Sequence, residues 1–60
     1  MLRLYSKEAV PLFMEDLEGL AERHGMAHEE TLDSAYELVE LLRSAGREGE
    51  ADALAAKYGV

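Results

Sequence analysis

The chain has 60 residues, 48% of them hydrophobic, with no cysteine and a formal net charge of −7 from thirteen acids against six bases. A chain this short makes one domain, and hides only about 60% of the surface its unfolded form exposes, so it has little core to spare. Disulfides are excluded, a metal site of recognisable ligand spacing is not evident, and an acidic chain lacks the basic face that phosphate backbones and anionic membranes require.

Ser6 is placed to cap a first helix over residues 6–24, whose apolar positions Ala9, Leu12, Phe13, Leu17, Leu20 and Ala21 recur at intervals of three and four. Pro11 is tolerable only near the helix start, so the regular part begins around residues 7–9. Gly25 supplies a left-handed stop behind the basic last turn of Arg23 and His24. The residues before Ser6 form an apolar arm too short to assign.

Met26, Ala27 and His28 connect to a second helix over residues 29–45, opened by the acids Glu29 and Glu30. Its inner stripe is Leu32, Ala35, Leu38, Val39, Leu41, Leu42 and Ala45, with Asp33, Glu37, Glu40 and Arg43 outside. Gly46 ends it, and a third helix over residues 48–58 follows, with Ala51, Leu54, Ala55 and Tyr58 inward and Gly59 as terminator. Connections this short make the neighbours antiparallel.

Compared with itself, the chain pairs Glu8 and Ala9 with Glu50 and Ala51, and Leu12 with Leu54, an offset of 42 residues (51 minus 9). Repeats of this length signal stacked helical units. The stretch Glu8-Ala9-Val10-Pro11-Leu12-Phe13 resembles the start of the second helix of a tetratricopeptide repeat, of the longer kind found in kinesin light chains. His28-Glu29-Glu30-Thr31-Leu32-Asp33-Ser34 resembles the connector and the next first helix. Leu41-Leu42-Arg43-Ser44-Ala45-Gly46-Arg47, followed by Glu50 and Ala51, resembles the turn between the two helices.

The resemblance covers about one and a half repeats. It implies an all-α, antiparallel three-helix arrangement: a tetratricopeptide-like hairpin plus one preceding helix. Gly46 would let the turn go left-handed, Ala51 would stand where helices approach closely, and Phe13 would fill the space between them. Asp16 sits where the family has a small apolar residue, and Ala55 and Tyr58 exchange its order of large and small, as suits a terminal unit. The family often carries asparagines on the inner side of its first helix, where this chain has Tyr36 and Glu37.

Chemistry is sparse. His24 and His28 are four apart, but Gly25 breaks the helix that would align them as metal ligands, so the bland reading is a helix end and a connector. Glu15, Glu18 and Glu22, like Glu37 and Glu40, have the spacing of a solvated face rather than of a shielded acid–base pair. No nucleophile motif and no phosphate loop is recognisable. Met14 and Tyr36 lie at the edges of their stripes, where they line a contact surface or complete the core.

Catalysis, a metal and a cofactor are therefore not expected. The expected function is a protein-interaction scaffold or adaptor, with Asp33, Tyr36, Glu37, Glu40 and Arg43 as the partner-binding surface. The alternative is a small acidic regulator that occupies a basic surface of its partner. Either way the partner is a basic protein or peptide rather than nucleic acid or membrane. A cytoplasmic location is expected from the lack of cysteine and of a leader pattern. Val10, Leu12, Phe13, Leu17 and Leu20 span more of the first helix than one hairpin covers, so a homodimer through them is expected.

Overall fold

The computed structural model describes residues 9–60, which form three α-helices: α1 (Ala9–His24), α2 (Glu29–Ser44) and α3 (Glu48–Tyr58). The fold is all-α, an antiparallel three-helix arrangement in which the short connectors turn each helix back on the last. The expected Ser6 cap, the apolar arm before it and Glu8 of the repeat lie outside the described residues. Elsewhere the expected boundaries differ from the observed ones by a single residue, Ala45, which caps α2 rather than belonging to it.

α2 is the middle of the molecule. It packs against α1 on one side and α3 on the other, whereas the backbones of α1 and α3 stay more than 8 Å apart, Cα to Cα, and face each other across a groove. The centre is built from Leu17 of α1, Ala35, Leu38, Val39, Leu41 and Leu42 of α2, and Ala51 and Leu54 of α3, with Val10 and Tyr58 closing its ends. Ala51 is fully buried, which places α3 close against its neighbour. Leu32, Ala45 and Ala55, expected inward, are only half-buried, and at the start of α2 it is Thr31 rather than Leu32 that is fully enclosed.

Each junction has its own chemistry. Gly25 takes a φ of 93° and donates its amide to the Ala21 carbonyl at 2.9 Å, ending α1. His28 then caps α2: its Nδ1 accepts the Glu30 amide at 3.1 Å, satisfying a first-turn donor that the helix leaves open. At the other end of α2, Gly46 has a φ of 78° and donates to the Arg43 carbonyl, while the Arg47 amide reaches the Leu42 carbonyl at 2.8 Å. This pair of bonds is a Schellman closure, which needs a residue free to go left-handed.

α3 begins without a side-chain cap. Glu48 and Glu50 instead set negative charge against the positive end of the helix, and Arg47 grips Glu50 with two hydrogen bonds, Nε to Oε2 at 2.9 Å and Nη2 to Oε1 at 2.7 Å. The pair lies in solvent. Held by the Arg47 guanidinium, the Glu50 carboxyl titrates below its ordinary value, and Arg47 itself is pushed up.

Candidate interaction surface

Burying one stripe of α2 against two helices leaves the opposite stripe to solvent. Asp33, Tyr36, Glu37 and Glu40 are all exposed there, Tyr36 at 57% despite its large apolar ring. Tyr36, Glu37, Glu40, Leu41 and Ser44 line a concavity of about 270 Å³. Their spacing follows from the helix: positions three, four and eight apart rise along one face. Among the described residues, Asp33, Glu37 and Glu40 form no ion pair.

Arg43 does not join this group. It is exposed, but its Nη1 reaches Asp52 of α3 at 3.3 Å, so the cation expected on the partner surface is turned toward the hairpin partner instead. The physical reason is reach. A residue on the flank of α2 next to α3 finds a carboxylate there before any partner arrives. Leu41, buried as the inner stripe requires, and Ser44, which the sequence places in the turn motif that closes α2, line the concavity instead.

The expected self-association set divides. Val10 and Leu17 are buried inside the chain, Leu17 completely, so neither is available to a second copy. Periodicity gives a stripe but not the angle through which the neighbouring helix covers it, and α2 covers these two. Phe13 and Leu20 are half-buried and Leu12 is 66% exposed, with Pro11 beside it and also exposed.

Two other places could hold a ligand. A groove of about 250 Å³ runs between the outer helices over α2, lined by Met14, Leu42, Glu50, Ala53, Leu54 and Lys57. Met14 thus both lines the groove and packs against the core from its edge. At the α1–α2 corner the rings of His24 and His28 stack with centroids 4.7 Å apart, and His24 Nε2 lies 4.0 Å from a Glu30 carboxylate oxygen. The Nδ1 of His28 is already engaged as the cap. Among the described residues no cluster of three or more His, Cys, Asp or Glu side chains is arranged to hold a metal ion. No described helix is long and apolar enough to cross a membrane.

No protein-family model, curated protein or solved structure matches the chain.

Proposed function

We propose that the chain is a protein-interaction module, tetratricopeptide-like in its repeat pattern, whose partner docks on the exposed face of α2. The observation that carries this reading is the conjunction, on one helix face, of an exposed tyrosine, a concavity and three carboxylates with no ion-pair partner among the described residues. An exposed aromatic surrounded by unneutralised charge contributes little to this fold; in an interface it becomes an anchor. The left-handed Gly46 and the buried Ala51 support the resemblance to a repeat hairpin, because both stand where that pattern requires them. Binding rather than catalysis is the activity, and the partner surface is basic.

A second reading keeps the same face and changes the partner. A small acidic regulator would blanket a folded basic surface rather than hold a peptide, and the net charge of −7 favours it. Reversing both Glu37 and Glu40 to lysine should cut the association rate for a partner captured from source cells by roughly tenfold or more at low salt, with a smaller change in dissociation. Unchanged association of that double variant at low salt would remove α2 as the surface. A shallow salt dependence with a peptide-sized footprint supports the module; a steep one with a folded partner supports the regulator.

A further inference from the structure

We infer that the concavity on α2 is an arginine-reading niche, which takes one guanidinium of a basic protein segment onto the ring of Tyr36 and between the carboxylates of Glu37 and Glu40. The inference rests on the α2-face reading above and specifies its ligand chemistry. Three features of the site converge on a planar cation. The Tyr36 ring is mostly exposed and lines the concavity, so one of its surfaces is open to a stacking partner. Glu37 and Glu40 line the same concavity, lie three residues apart on one helix face, and have no cation partner among the described residues. Leu41 gives the site an apolar wall, and Ser44 adds a hydroxyl that accepts a further hydrogen bond.

An ammonium would satisfy the charge but not the shape. A guanidinium stacks flat on an aromatic ring, is weakly hydrated, and spreads its donors in a plane, so it can face the ring and both carboxylates together; a lysine offers a compact, strongly hydrated charge. Arg43, the arginine of α2 beside this face, is occupied by Asp52 and does not fill the niche. At about 270 Å³ the space is of the size of a side-chain head group with its water, not of a folded domain.

The test is a titration of the whole chain, followed by amide chemical shifts at low salt, with three capped twelve-residue peptides. One alternates arginine with alanine, and the others carry lysine or uncharged citrulline in place of arginine. Saturable shifts at Tyr36, Glu37, Glu40, Leu41 and Ser44 are expected, with the arginine peptide about threefold tighter than the lysine one, as an exposed cation–π contact supplies. The citrulline peptide should not bind. Tyr36→Phe should keep the preference and Tyr36→Ala should erase it. Equal affinity for arginine and lysine, unaltered in Tyr36→Ala, would overturn the niche and leave the acidic-face reading standing. Shifts that never saturate on α2, or that scatter over every carboxylate, would overturn both. The comparison among peptides on the unsubstituted chain decides the matter even if a Tyr36 variant folds poorly.

Discussion

The hydroxyl of Thr31 is fully buried in the first turn of α2 and has no hydrogen-bond partner. Leaving such a group dry costs free energy that an apolar methyl would not, and valine has the same branched shape. Thr31→Val should therefore stabilise the chain by about 1 kcal/mol, read as a higher denaturation midpoint in urea. A lower midpoint would mean that the hydroxyl is hydrated or bonded in solution. Thr31 was not legible as core, because a threonine just inside a helix start reads as an end-of-helix polar residue. His28 was legible only as connector, since imidazole is not among the usual capping side chains, and only the backbone geometry brings its Nδ1 onto the Glu30 amide. Arg47 and Glu50 give a pH prediction. The Glu50 carboxyl is held below its ordinary value of 4.5 by the Arg47 hydrogen bonds. A carboxyl depressed in the folded state adds stability above its unfolded value and loses it as pH falls through the folded one. Replacing Arg47 with glutamine should raise the Glu50 midpoint in an NMR titration, and the stability difference between the two chains should vanish in strong acid. An unmoved midpoint would show the pair to be broken in solution.

At the scale of elements the sequence was most readable, because glycine stops and a three-and-four apolar rhythm act locally. The extents of α2 and α3 follow from Glu29, Gly46, Glu48 and Gly59 almost directly. What the rhythm did not provide is which flank of a helix meets which neighbour. That is why periodicity alone places Val10 and Leu17 in the self-association set and Arg43 on the partner surface. α3 offers a paired test of its own packing. Ala51 is fully buried between helices, while Ala53 is exposed at the lip of the groove beside Met14. Ala51→Leu should cost about 1 to 3 kcal/mol through overpacking, and Ala53→Leu should change the thermal midpoint little, since the added atoms have open space. Equal losses at the two positions would mean that α3 is rotated in solution.

For the whole molecule, the outward face of α1 bears on self-association. Leu12 stands well exposed on it, so Leu12→Glu should disrupt a dimer formed there without disturbing the core, whereas Leu17→Glu should unfold the chain at any concentration. If copies associate through this face, the melting temperature of the unsubstituted chain rises with protein concentration and that of Leu12→Glu does not. Sedimentation equilibrium of a folded monomer at tens of micromolar, with matching melts for both chains, would remove the dimer. The middle position of α2 has a further consequence, for hydrogen exchange. Because α1 and α3 each pack on α2 while their own backbones stay apart, either outer helix can open while the other stays seated, so the chain has two partial unfolding routes. Amides of α2 should exchange slowest, since both routes leave that helix packed on one side. Ala51→Leu should speed exchange throughout α3 and leave the amides of α1 at their original rates until the whole chain unfolds.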